Sequence, residues 1–309
     1  MNKKVAVLLV LYNEEHHIPR LARSLNNQSY KNIQVYAIDN NSKDNSVALL
    51  KEHLPQVKLT LSDSNNGFAK GNNIIAAKAV ADAVEYLFVL NTDMDLDENC
   101  IEELLNLAEN DINIGGVAPV ILYGKNNERT DLIQCYADNA NFQTGKTSSL
   151  HAQLKFSNNK LPEQMQVNTI SGGATFIKRE LYEKIGLFNE ENFMYGDEMD
   201  LAFRVKQQSY KLFVTKKAMC WHFHNWSKGN KQGYYFQYFY IMRNRFLFFH
   251  RYHKYKSMTI ELFKELIIFP LKIRWALKRA DIKLVKFYYL GILHGLLNKK
   301  GKANVNLGK

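Results

Sequence analysis

The sequence holds no Gly-x-Gly-x-x-Gly and no Gly-x4-Gly-Lys-Ser/Thr, which removes the dinucleotide-binding turn and the P-loop as ways of cradling a phosphate. A nucleotide bound here is held by side chains or through a metal ion. Cysteine is scarce: Cys100, Cys135 and Cys220 are far apart, odd in number and without a Cys-x-x-Cys pair. Neither a zinc ribbon nor a thioredoxin-type site is supported, and reduced, buried thiols in a cytosolic protein are expected. Five prolines and sixteen glycines, beside 46% hydrophobic and 23% charged residues, exclude a collagen-like, low-complexity or disordered chain. No internal repeat is present, and no apolar run approaches the roughly 18 residues of a membrane-spanning helix. Val5–Leu11 behind Lys3 and Lys4 imitates the start of a secretory signal. It is short and lacks a small-residue cleavage site, so it reads as a buried parallel strand in a protein kept in the cytoplasm.

What is present is first a length. At about 150 residues per domain, 309 residues make roughly two structural units with a sizeable core. The formal charge of +11 is concentrated: between Arg243 and Lys302 there are fifteen Lys or Arg and only three acids, Glu261, Glu265 and Asp281. The rest of the chain is therefore nearly neutral, and the basic tail points to one anionic surface.

In the first half, strand-like and helix-like patterns alternate. Strands are expected at 5–11, 33–38, 57–61 and 86–90, and helices at 18–27, 46–53 and 71–81. This spacing implies βαβ crossovers, hence an α/β fold with an open, mostly parallel sheet covered by helices on both faces. Ligands of such sheets lie beyond the carboxyl ends of the strands. Three polar clusters stand there: Tyr12, Asn13 and Glu14; Asp39 to Asp44; and Asn91, Thr92, Asp93 and Asp95. Asn65–Asn73, with Asn66 and Lys70, reads as a turn opening a helix. From 111 to 167 the signal weakens, and 124–131 and 145–160 read as loops or short edge strands. Helical spacing returns near Leu181 and Ile185, at 201–208, and around 261–269 and 271–297, with a break at Pro270.

Each cluster has two readings. Asp93-Met-Asp95 is either a solvated turn or a set of hard oxygen ligands for Mg²⁺ or Mn²⁺ shared with phosphates. Ser42 and Asp44 suit a helix cap, whereas Asp39 ends a strand directly and has the carboxylate to accept a hydrogen bond from the imide of a uracil or thymine. Asp197, Glu198 and Asp200 sit at a helix start, where capping and a general base are both served by a carboxylate. His222 and His224 share one face if the segment is a strand, with a spacing that suits a metal or phosphate.

Taken together and in order, several segments resemble a known family: Leu11-Tyr-Asn13, Ser24 to Gln28, Ile38 to Ser46, Asn65 to Asn73, Leu90-Asn-Thr-Asp93, Ser171-Gly-Gly-Ala174, Gly196 to Leu201 and Arg243-Asn244. The chain resembles a family 2 glycosyltransferase of the GT-A fold, in its rhamnosyltransferase-like branch, over about 245 residues. The resemblance implies that Asp39 reads the base, that Asp93 and Asp95 hold the metal on the diphosphate, and that Glu198 deprotonates the acceptor. Many relatives carry Glu-Asp where this chain has Asp197-Glu198, so Asp197 is the second candidate base. In the segment His222-Phe-His-Asn-Trp-Ser227, His224 is preferred as the residue meeting the metal. Tyr12, Asn13, Glu14, Asn66, Lys70, Asn91 and Thr92 are the further nucleotide-side candidates, and Gly172, Gly173 and Trp226 the acceptor-side ones.

The expected organisation is a catalytic domain over 1–235, with a nucleotide-sugar half to 110 and an acceptor half from 111. A helical, basic region follows over 236–309, its residues 243–302 facing an anionic membrane surface at the inner face of the cell membrane. The expected function is inverting transfer from a nucleotide-sugar donor, dTDP-rhamnose or a UDP-hexose, to a hydroxyl of a lipid-linked glycan. Two other readings are a sugar-1-phosphate nucleotidyltransferase, which wants a Gly-rich loop that is absent after Leu11, and a basic nucleic-acid-binding protein. The acidic rim repels nucleic acid, so none is expected as a partner.

Overall fold

The structure is a computed structural model, and it describes residues 2–158, 160–223 and 231–304. Among these the chain forms twelve strands and nine α-helices, in two compact units. The first comprises 1–139, 148–188 and 201–224; the second comprises 140–147, 189–200 and 225–309.

In the first unit, β1 (Val5–Leu11), β2 (Ile33–Asp39), β3 (Lys58–Leu61) and β4 (Tyr86–Leu90) alternate with α1 (Ile18–Asn26), α2 (Ser46–His53) and α3 (Gly67–Ala81). β1 runs parallel to β2 and β4, and β2 to β3, with Leu11 opposite Asp39. Val5, Val7, Leu9 and Leu11 enter the core on one side of the sheet and Ala6 and Leu8 the core on the other. A strand buried on both faces reads as an unbroken apolar run, which is why β1 and β4 stand out in the sequence. The helix expected from Gly71 already begins at Gly67. A Cβ on Gly71 would lie 3.1 Å from Val10, so its absence lets α3 press on β1.

Beyond β4 come β5 (Met94–Leu96), α4 (Cys100–Glu109), β6 (Ile114–Lys125), β7 (Glu128–Cys135), β8 (Asp138–Asn141), β9 (Lys146–Ser149), β10 (Gln164–Val167), β11 (Ala174–Lys178), α5 (Arg179–Ile185), α6 (Asp197–Gln207) and β12 (Lys211–His222). The large sheet has the order β10-β12-β6-β11-β4-β1-β2-β3, with β5 on β12 and β7 on β6. It is parallel from β4 to β3 and mixed beyond β4, where β11 is antiparallel to both β4 and β6. Here the structure departs from the sequence reading. The stretch from 111 to 167, where the sequence signal weakens, contains the 12-residue β6, and its hairpin partner β7 takes in much of the 124–131 segment read as a loop or short edge strand. Their connection is Asn126-Asn127, both with positive φ, the backbone a two-residue hairpin turn demands.

The second unit is built on α7 (Lys231–Arg251), α8 (Tyr255–Lys278) and α9 (Ile282–Leu296). Phe193, Tyr235, Phe239, Tyr240 and Phe287 form its aromatic core. The break expected at Pro270 does not occur: α8 runs through it. Lys272 Nζ lies 2.7 Å from Glu265 Oε2, an ion pair that spans the proline. Cys100, Cys135 and Cys220 are free thiols, the first and last buried and Cys135 partly exposed.

Candidate active site

The loops after β1 and β2 are tied together by side chains. Asn13 N–H donates to Ser42 Oγ at 3.0 Å and Lys43 N–H to Asn13 Oδ1 at 2.8 Å. Glu14 N–H donates to Ser46 Oγ at 2.7 Å, and Ser46 Oγ in turn to Asp44 Oδ1 at 2.6 Å. Asn13 and Asn41 both take positive φ, a conformation that asparagine tolerates better than most residues. Asp44 Oδ1 also accepts from Ser46 N–H at 3.0 Å, so Asp44 serves the start of α2 as its sequence suggests, whereas Ser42 is spent on the loop after β1.

Asp39 is different. It is 5% exposed, and its Oδ2 accepts from Ser42 N–H at 3.1 Å. Its Oδ1 is buried with no hydrogen-bond partner among the described residues. A buried acceptor left unsatisfied costs on the order of 1–3 kcal/mol, so its position at the carboxyl end of β2 marks it for an external donor. Asn66 is used locally: its amide donates to Ser62 Oγ at 2.7 Å, and the Asn40 amide reaches Gly67 O at 3.1 Å. Tyr12 and Lys70 are exposed.

The turn after β4 carries the second cluster. Asn91 N–H donates to Gly173 O at 2.9 Å, and a Cβ on Gly173 would come within 2.9 Å of the Asn91 amide nitrogen. The Gly172-Gly173 turn before β11 therefore gives the Asn91-Thr92-Asp93 turn its room. Asp93 Oδ2 lies 3.0 Å from His222 Nε2, and His222 Nδ1 lies 3.0 Å from Gln134 Oε1. Asp95 is employed otherwise: its Oδ2 accepts from Arg129 Nε at 2.9 Å, while Arg129 Nη2 donates to Leu96 O at 2.9 Å. Arg129 also stacks over Trp221 at 4.1 Å. The donor set that suits a divalent cation is thus one carboxylate and one imidazole, Asp93 and His222. Among the described residues no group of three or more His, Cys, Asp or Glu gathers for a metal. Two protein ligands completed by phosphate oxygens and water match the way Mg²⁺ is ordinarily held. His224 and Trp226 lie outside the described residues.

Sequence reasoning leaves out Arg129 and Gln134. Both stand on β7, and the Asn126-Asn127 turn is the signal that reveals that strand.

In the second unit, Asp197 and Glu198 begin α6. Asp197 is 2% exposed and its Oδ1 accepts from Asn192 Nδ2 at 3.2 Å. Burial first, then the charge of Glu198, pushes its carboxyl well above the ordinary range. Glu198 is only partly buried. Asp200 accepts from Arg251 Nη1 at 2.6 Å and from Tyr252 OH at 2.9 Å. Burial and pairing separate the three carboxylates: Asp200 is an ion-pair partner, Asp197 favours its neutral form, and Glu198 keeps access to solvent.

The protein-family model described as glycosyl transferase family 2 matches residues 6–186. An N-acetylglucosaminyl-diphospho-decaprenol L-rhamnosyltransferase of Mycobacterium tuberculosis is 23% identical over 255 residues, covering 74% of this chain and 79% of that protein. A low-salt glycan biosynthesis hexosyltransferase of Haloferax volcanii is 22% identical over 303 residues, covering 96% and 92%. Among solved structures, S. aureus TarS 1–349 superposes with a TM-score of 0.55 at 14% identity, over 94% of this chain and 81% of that one. GalNAc-T7 with UDP, GalNAc and Mn²⁺ gives a TM-score of 0.57 at 17% identity over 72% of this chain, which spans 44% of that longer one. At such identities the solved structures speak for the fold, and the GT-A type of α/β architecture is the one found.

Proposed function

This chain belongs to glycosyl transferase family 2, and from that premise we propose that it moves a sugar, with inversion, from a nucleoside diphosphate sugar to a hydroxyl of a lipid-linked glycan in cell-surface polysaccharide synthesis. Glycosyl transfer comes with the family. The donor, dTDP-rhamnose or a UDP-hexose, and the lipid-linked acceptor are the finer reading; the mycobacterial N-acetylglucosaminyl-diphospho-decaprenol L-rhamnosyltransferase supports a rhamnosyl group and a lipid-linked acceptor. The enzyme works peripherally, at the inner face of the cell membrane.

The observation that carries the nucleotide part is Asp39 Oδ1, a buried acceptor at a strand end with no partner among the described residues. An imide N–H of uracil or thymine is the donor it fits. Tyr12, Asn13, Glu14, Asn66, Lys70, Asn91 and Thr92 belong to the same nucleotide side, and Gly172, Gly173 and Trp226 to the acceptor side. Asp93 and His222 are the residues suited to hold Mg²⁺ or Mn²⁺; Asp95, already neutralised by Arg129, is the weaker candidate. When bound, the ion supplies charge neutralisation for the departing nucleoside diphosphate. Glu198 takes the proton from the attacking hydroxyl, the single general base that an inverting displacement needs. Asp197 beside it, buried and with its carboxyl pushed up by that burial, is the less suited of the two.

A thermal-shift panel of UDP- and dTDP-sugars, each with and without Mn²⁺, tests this reading on the full chain. One nucleotide sugar is expected to stabilise the protein strongly and in a metal-dependent way. If none does, the transferase reading of the site fails.

A further inference from the structure

α8 is an amphipathic helix turned inside out. Its inward residues are Ser257, Glu261, Glu265 and Ala276, whereas Phe263 is 62% and Ile267 74% exposed. The carboxylates are drawn inward by a buried guanidinium: Arg245 pairs with both Glu261 and Glu265. Lys272 and Tyr288 OH complete the surroundings of Glu265, at 2.7 and 2.9 Å. With the acids anchored there, helical geometry leaves the apolar residues facing out.

One outward stripe shows the pattern best. Lys256, Ile260, Phe263, Ile267, Leu271, Arg274 and Lys278 follow one another at steps of three or four residues and are all exposed. The stripe is apolar in the middle and cationic at both ends. No acid of α8 or α9 opposes it: the acids between residues 255 and 304 are Glu261, Glu265 and Asp281. The first two are paired inward, and Asp281 accepts from Tyr235 OH at 2.6 Å. Trp275, 41% exposed, stands beside the stripe with Arg279 stacked on it at 4.4 Å.

We propose that this face of α8 docks in the plane of an anionic lipid bilayer, with Ile260, Phe263, Ile267 and Leu271 in the apolar boundary and Lys256, Arg274 and Lys278 among the headgroups. Among the described residues no helix is long and apolar enough to cross a membrane, so the helix lies in the interface. Charge selects this occupant over a second copy of the chain. A two-fold contact through the stripe would set like cations against one another, whereas anionic headgroups attract each of them. A phosphate backbone has no use for the apolar centre. The inference names the surface behind the peripheral location proposed above and rests on that reading for its setting, but not on the transfer chemistry.

The test is flotation of the full-length protein with phosphatidylcholine vesicles, with and without about 30% phosphatidylglycerol. The parent is expected to float with the anionic vesicles, and the Phe263→Gln/Ile267→Gln double variant to partition at least about tenfold less. Lys256→Gln/Arg274→Gln/Lys278→Gln is expected to weaken flotation in a manner that added salt mimics. Both variants keep any metal-dependent stabilisation by nucleotide sugar that the parent has, which shows that they are folded. A parent that stays at the bottom of the gradient overturns the proposal, as does a double variant that floats like the parent. Equal flotation on both vesicle types also overturns it. So does a dimer mass in light scattering that the double variant abolishes. Failure of donor binding with flotation intact would sink the transferase reading and leave this one standing.

Discussion

Asn244 Nδ2 donates to the backbone carbonyl of Tyr195 at 2.7 Å, two residues ahead of Asp197. The same amide reaches Met194 O at 2.8 Å and Asn192 O at 3.1 Å. Phe193 and Tyr195 both hold positive φ, a costly backbone for non-glycine residues, and Asn244 is the clamp that keeps it. Asn244→Ala is expected to cost about 2–3 kcal/mol in urea unfolding, because buried carbonyls lose their donor. Asn244→Asp, which turns an acceptor toward acceptors, is expected to cost more. A variant as stable as the parent would show that the loop keeps its shape unaided.

The carboxylates beyond that loop differ in burial, and this separates them experimentally. Glu198→Gln is expected to keep donor binding and lose transfer by about 10²–10⁴-fold, the usual worth of a general base. Asp197→Asn is expected to retain most of the turnover. It should also change the pH dependence of stability. The raised carboxyl of Asp197 holds its proton to a higher pH in the fold than in the unfolded chain, which releases it near the ordinary value of 3.8. Above that value the native state binds the extra proton, so this group's contribution to stability falls as pH rises. The melting-temperature advantage of Asp197→Asn is therefore expected to widen from about pH 4 toward neutrality. A gap that stays constant with pH would show that Asp197 is ionised in the fold.

At the other cluster, the neighbours of Asp93 and Asp95 make the distinction that the spacing alone leaves open. Asp93→Asn is expected to abolish Mn²⁺-dependent stabilisation by the donor. Asp95→Asn is expected to keep it and to lower stability only modestly, about 1 kcal/mol, since Arg129 is well exposed and its pairing is screened. The reverse result would hand the metal to Asp95 and make Arg129 a mere counter-ion in the free protein.

How much of this is legible in the sequence depends on what each residue has to do. Val5–Leu11 declares itself because burial on both faces permits only apolar side chains. β6 hides because Gly115, Gly116 and Pro119 look like turn residues. A Cβ on Gly115 would lie 2.9 Å from Leu181, and one on Gly116 2.9 Å from Leu212, so these glycines make room for neighbours. Pro119 pairs with Thr215 where the register of β12 slips, one of the few places a sheet accepts proline. Asp39, Asp93 and Glu198 can be picked out because each follows a recognisable strand or opens a helix. Arg129 and Gln134 cannot, because they stand on β7, the strand of that hairpin that carries little apolar pattern. The inverted face of α8 is beyond sequence reading too: helical spacing shows that a face exists, and the buried partners of Glu261 and Glu265, Arg245 foremost, decide which one turns inward.

The packing of α9 on α7 offers the last test. Gly291 and Gly295 fall one turn apart on α9, and a Cβ on Gly295 would lie 2.7 Å from the Arg243 carbonyl oxygen. One on Gly291 would strike the Phe239 carbonyl. Both obstacles are backbone atoms of a helix, which cannot swing aside as a side chain can. Alanine favours a helix over glycine by about 1 kcal/mol, yet overpacking costs about 1–3 kcal/mol. Gly291→Ala and Gly295→Ala are accordingly expected to destabilise the full chain, while Leu293→Ala, at an exposed position between them, changes little. Arg243 follows Phe239 on α7 and donates to Asn192 O at 2.6 Å, so the glycine variants should also loosen the loop that leads to Glu198. Turnover is expected to fall along with the melting temperature, and vesicle flotation, which depends on the outward face of α8, to persist below the new transition. If Gly291→Ala raises stability, helix propensity is the stronger term and the two helices are not in backbone contact.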